Sequence, residues 1–148
     1  MIFDYLRRRK EEKEGQLKWI EDTKRGIDEV KKDLEIYISQ LNCHVAYLEE
    51  FDVDREYHED KINHYSSLII ITSMSLNCLE SFLETDVGRI RGFGVEFPIY
   101  KRVIDSMITA GNIIEEPSYR RNNFRRLNIL ALISHPEYPG SHVLEHQF

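Results

Sequence analysis

Apolar side chains return every seven residues from Ile20 to Leu48, and this repeat restricts the N-terminal third of the chain to a helix with a packed seam. One line runs Ile20, Ile27, Leu34, Leu41, Leu48; a companion line runs Thr23, Val30, Tyr37, His44, Phe51. Read as the a and d positions of a heptad, the two lines share one face and demand a helical partner surface. Glu14/Lys18, Glu21/Arg25 and Asp28/Lys32 place an acid four residues before a base, the favourable order on a helix surface. The flanks of the seam change along its length, from Lys24, Lys31 and Asp33 to Ile38, Val45 and Tyr47. A narrow stripe suits a two-stranded coil and a broad one a bundle. The expectation is a helix over residues 1–51 whose second half lies in a multi-helix core and whose first half projects. Ile20, Ile27, Val30 and Leu34 are the residues expected to meet a partner.

The window from Ile62 to Leu79 holds 18 residues without a formal charge, which reaches the length at which a membrane span must be considered. Half of it is polar, including Asn63, His64, Ser66, Ser67, Ser73 and Asn77, and the continuous aliphatic run is only Leu68 to Ile71. Tyr65, Ile69, Thr72, Leu76, Leu79 and Leu83 recur at helical spacing, with Ile70, Ile71, Met74, Cys78 and Phe82 widening the face. The pattern predicts a buried core helix over 54–84; membrane insertion and an oligomer interface stay open as alternatives. Cys43 and Cys78 both fall in helical apolar segments, so reduced, buried thiols are expected rather than a disulfide.

After a loop at about Thr85 to Glu96, Pro98 suits the first turn of a helix carrying Ile99, Val103, Met107 and Ile114 on one face, with Tyr100, Ile104, Ile108 and Ile113 beside them. Pro117 should end it, and Ser118 should cap a further helix bearing Tyr119, Phe124, Leu127, Leu130 and Ile133. These two shorter helices occupy 97–134, and Pro136, Pro139 and Gly140 introduce a tail at 135–148. The boundary at Asp52–Asp54 is the least marked, since neither Gly nor Pro forces a turn there. The fold class is all-α: one domain over 1–148, an elongated helical bundle with a long N-terminal coiled-coil-like helix. Its 41% hydrophobic and 31% charged residues fit a helix-rich soluble protein.

No catalytic constellation emerges. Arg91-Gly92-Phe93-Gly94-Val95-Glu96-Phe97 lacks the aromatic that an RNA-recognition strand places after its second Gly, and no matching strand pattern accompanies it. Gly88, Gly92 and Gly94 follow no strand, as a phosphate loop would require. His142-Val143-Leu144-Glu145-His146 matches a metallopeptidase pattern literally but sits in the tail behind Pro139-Gly140. Tyr57-His58-Glu59-Asp60 with His64 offers metal-compatible groups at helical spacing but reads as solvent-facing polar residues near a helix start, and His44 as a hydrogen-bonded seam position that could make assembly pH-sensitive. No enzyme, cofactor or metal is expected.

Charge points to contacts instead. The net charge of −6 is uneven: residues 1–60 hold 11 basic and 17 acidic groups, and residues 87–134 hold 8 basic and 4 acidic. Head-to-tail association or an anionic partner would use such a distribution. Arg120, Arg121, Arg125 and Arg126 are the candidates for an anion or an acidic partner, or for pairing with the acidic N-terminal helix. At the N-terminus, Arg7–Lys10 follow Met1–Leu6, apolar apart from Asp4, which is the reverse of a secretory signal, and such a tip could touch an anionic membrane surface.

The segment Tyr57 to Tyr65, leading into Leu68–Ile71 and Glu80 behind a charged heptad helix, resembles uncharacterised proteins of large double-stranded DNA viruses. The resemblance covers about residues 30–84 and rests on pattern; the second apolar helix of those proteins is poorly matched. It implies a virus-encoded structural or membrane-associated component and carries over no catalytic residue. The functional expectation is therefore a non-enzymatic helical assembly or scaffold protein, cytoplasmic or virion-associated, acting through protein partners or self-association. The alternative is a protein of the membrane periphery that uses residues 62–83 and the basic groups.

Overall fold

A computed structural model of the chain describes residues 1–87, 97–115, 122 and 125–126. Three helices carry the architecture: α1 over Ile2–Glu50, α2 over Arg55–Val87 and α3 over Phe97–Ile113. Among the described residues there is no strand, and no helix is long and apolar enough to cross a membrane.

The α1–α2 turn forms without Gly. Asp52 and Asp54 take the left-handed region at φ 48° and 53°, which short polar side chains tolerate better than bulky ones. The Phe51 N–H closes α1 on the Tyr47 carbonyl at 2.8 Å, and the His58 N–H opens α2 on the Asp54 carbonyl at 3.1 Å. Two aspartates thus supply the break that the sequence marks so weakly.

The turn sends α2 back antiparallel along α1. Tyr37 meets Tyr65, His44 meets His58, and Gly26 lies against Leu79. α3 runs in the same direction as α1: Arg102 pairs with Glu35 at 3.1 Å, while the α3 C-terminus reaches the start of α2 through Arg55. Pro98 lies in the first turn of α3, as its missing N–H allows. Ile99, Tyr100, Val103, Ile104, Met107, Ala110 and Ile114 are buried, so the expected face is the packed one.

The rod has three sections along α1. Residues 1–19 are exposed. From Ile20 the helix lies on α2, and near Glu35 it is flanked by α3 as well. This accounts for a correction to the seam. The buried companion of Ile27, Leu34, Leu41 and Leu48 is Ile38 and Val45, whereas Val30, Tyr37 and His44 are half-buried and Phe51 is exposed. Arg102 of α3 reaches Glu35, one turn before Ile38 on α1. Further along the line of Ile38 and Val45 towards the N-terminus stand Lys24 and Lys31, which are half-buried.

α2 is not apolar all round. Ile62, Ser66, Ile69, Ile70, Ser73 and Leu76 are buried, but Ile71, Met74 and Phe82 are 61%, 46% and 54% exposed. It therefore covers α1 from one side rather than filling a centre. Cys43 and Cys78 are free but exposed, because both lie on the outward faces of their helices; the expectation of burial was wrong. The predicted helix after Pro117, the glycine segment at 88–96 and the tail lie outside the described residues, isolated positions 122, 125 and 126 aside.

Candidate functional site

The projecting end of α1 is the first candidate. Ile2, Phe3, Tyr5 and Leu6 are 74%, 85%, 59% and 55% exposed, and Leu17 and Trp19 are also exposed. Behind the apolar tip stand Arg7, Arg8, Arg9 and Lys10. Arg7 sits at 3.7 Å from Asp4 and 3.9 Å from Glu11, and Arg9 lies 5.8 Å from the centre of the Tyr5 ring. These exposed pairs are long, and such pairs contribute little to stability. Eighteen helical residues, about 27 Å of rod, thus present side chains without a described packing partner.

The opposite end of the rod has the other sign. Residues 49–60 contain seven acids and one base, Arg55. Phe51, Val53 and Tyr57 are more than half exposed among them. Arg55 is committed locally: it holds Asp52 at 2.6 Å and Glu59 at 3.0 Å, and donates to the Ile113 carbonyl at 3.1 Å. Burial opposes its charge, but the hydrogen bonds it donates to Asp52 and Glu59 outweigh this and hold its pKa above the ordinary value. Glu59, 7% exposed, also accepts the Glu115 N–H at 3.0 Å. The network fastens the end of α3 to the start of α2. Glu49, Glu50, Asp54 and Glu56 remain without an ion pair to any described residue. Asp54, Glu56, Tyr57 and Asp60, with Arg55, line an open depression of about 520 Å³.

Between the ends lies a histidine–tyrosine cluster. His44 Nδ1 and His58 Nδ1 are 2.8 Å apart, so one nitrogen donates and the other accepts. Tyr47 stacks on His58 at 4.1 Å between ring centres, and Tyr65 stacks on His44 at 5.9 Å. Burial lowers the His44 pKa, and the nearby charges of His58 and Lys61 lower it further. His64 is exposed and Glu80 is buried, and neither joins this pair. No group of three metal-compatible side chains gathers among the described residues.

The sequence-predicted partner residues divide. Ile27 and Leu34 are fully buried in the chain's own core, and Ile20 and Val30 are half-buried against it. The seam expected to meet a partner is consumed by α2 and α3, so exposed contacts move towards the tip. Of the arginine group, Arg126 is half-buried, donating to Asn63 Oδ1 at 2.9 Å and Ser67 Oγ at 2.8 Å, and burial lowers its pKa. Those bonds take up guanidinium donors that an anion would need. Arg125 is exposed, and Arg120 and Arg121 lie outside the described residues. The acidic turn was missed as a site; its signal was the density of acids around Phe51 and Tyr57. Comparisons with protein-family models, curated proteins and solved structures found no significant match to this chain.

Proposed function

We propose that this chain is a non-enzymatic helical assembly or scaffold protein that holds partners through the free end of its long helix. The carrying observation is the division of α1: from Ile27 its apolar seam is closed inside the molecule, while Ile2, Phe3, Leu6 and Leu17 remain exposed on a continuous helix. In proteins tertiary contacts usually supply most of a helix's stability, and a partner contact would supply them to this exposed stretch. The resemblance to proteins of large double-stranded DNA viruses is in keeping with a structural component, cytoplasmic or virion-associated.

Sedimentation velocity over a concentration series at low ionic strength tests the self-assembling form of this reading. Mass should grow with concentration. A species that stays monomeric across the whole series would remove self-assembly.

A further inference from the structure

We propose that the N-terminal tip of α1 docks on the acidic α1–α2 turn of a second copy, so that copies join head to tail. This rests on the assembly reading and names its contact. The two surfaces have the same construction with opposite sign. The tip exposes Ile2, Phe3, Tyr5 and Leu6 beside Arg7, Arg8, Arg9 and Lys10; the turn exposes Phe51, Val53 and Tyr57 among Glu49, Glu50, Asp54 and Glu56. Arg8 and Lys10 on one side, and Glu49, Glu50 and Glu56 on the other, have no ion pair with any described residue.

Geometry keeps the two surfaces apart within one molecule. They stand at opposite ends of a 49-residue helix, about 70 Å apart at 1.5 Å per residue. A helix held along its C-terminal half by α2 and α3 cannot fold back on itself to join them. The tip of one chain therefore meets the turn of another. The chain's overall charge of −6 disfavours alignments that bring the acidic stretches together, and head-to-tail contact is the alignment that sets unlike charges against each other. Two different surfaces at opposite ends of a rod form a heterologous contact, which propagates as a linear array unless its rotation closes a ring. A helix tip and a turn bury a small area, so the contact belongs to the weak class and should depend strongly on salt.

Reciprocal charge reversal provides the test. One variant carries Arg8→Glu, Arg9→Glu and Lys10→Glu; the other carries Glu49→Lys, Glu50→Lys and Glu56→Lys. All six positions are exposed, and thermal unfolding checks that both variants keep the fold. In sedimentation velocity, each variant alone should associate at least about tenfold more weakly than the unaltered chain. An equimolar mixture should recover association, because the basic tip of the second variant then meets the acidic turn of the first, and the acidic tip of the first meets the basic turn of the second. Raising salt from about 0.05 to 0.5 M should dissociate the unaltered chain.

If both variants associate as the unaltered chain does, assembly stands and this contact is overturned. Folded variants that lose association singly and fail to regain it when mixed would overturn the pairing of tip with turn. An unaltered chain that is monomeric throughout takes the assembly reading down with it. In that case, flotation of the unaltered chain, but not of the tip variant, with phosphatidylserine vesicles would assign the tip to anionic lipid instead.

Discussion

The end of the bundle can be located energetically along α1. Leu17 is 58% exposed, Ile20 is half-buried, and Ile27 is completely buried within ten residues of Leu17. Ile27→Ala removes three carbons from a closed site. At about 0.8 kcal/mol per buried carbon this is roughly 2.4 kcal/mol of transfer energy, and the residual cavity adds to it. The higher helix propensity of Ala returns a few tenths, leaving about 3 kcal/mol. Ile20→Ala should cost about 1 kcal/mol because part of its surface is already wet. Leu17→Ala should fall within about 0.5 kcal/mol of the unaltered chain, as surface substitutions do. The assay is urea unfolding followed by far-ultraviolet circular dichroism, at high salt and at a concentration where sedimentation shows a monomer. For a chain of this size the Ile27 variant should also lose about 6–12 °C in Tm. Equal losses at Leu17 and Ile27 in a proven monomer would refute the reasoning, because the helix would then be packed along its whole length.

Three further outcomes follow from the interior. Glu59→Ala removes the acceptor shared by Arg55 and the Glu115 N–H; it should cost about 2 kcal/mol and speed hydrogen exchange at Glu115, and unchanged exchange there would remove the fastening role. The His44 pKa is lowered in the folded state, so its contribution is complete above the unfolded value of about 6.5 and is lost as pH falls through the lowered folded value. Stability should therefore decline below about pH 6.5, and His44→Gln should flatten that decline in urea titrations at successive pH values. Ser73 Oγ is buried with no hydrogen-bond partner among the described residues, so Ser73→Ala should stabilise the fold by about 1 kcal/mol, measured as a higher urea midpoint; a lower midpoint would mean that the hydroxyl is satisfied.

Much of the architecture is legible in the sequence, and its errors have identifiable causes. The heptad line Ile27, Leu34, Leu41, Leu48 is the core line because a period of seven fixes one face whatever the partner. Its companion is less buried than expected, because the choice between the line of Tyr37 and His44 and the line of Ile38 and Val45 depends on how neighbours far along the chain flank α1. A contact such as Glu35–Arg102 spans 67 residues and leaves no local trace. The same limit explains α2: Ile71, Met74 and Phe82 look like core by composition, and only the position of α1 decides which side of the helix is covered. At the α1–α2 turn, two aspartates in the left-handed region do what Gly or Pro would announce openly. The candidate surfaces divide likewise. The basic tip is visible as a run of four residues, whereas the acidic turn becomes a surface only when the hairpin gathers the end of one helix and the start of the next.

The buried face of α2 adds to the short turn in holding the register of the hairpin. Glu59, Ser66, Ser73 and Glu80 repeat every seven residues and are all buried, alternating with Ile62, Ile69 and Leu76. The pairing of His44 with His58 and of Tyr37 with Tyr65 sets Glu59 near the level of Cys43, Ser66 near Ile36, Ser73 near Glu29 and Glu80 near Asp22. The small serines stand between the two buried glutamates along the seam. The short turn between Glu50 and Arg55 leaves little slack for sliding, and the polar line opposes it further. A slip of seven residues one way would carry Glu59 to the level of Ile36 and away from the Glu115 N–H that it accepts; a slip the other way would carry it to the level of Glu50, setting one carboxylate beside another. Polar groups on a helical seam lower stability and specify alignment, so the buried serines and glutamates of α2 act with the short turn to hold one register. In that register Glu59 keeps both Arg55 and the Glu115 N–H, and residues 1–19 of α1 stay exposed.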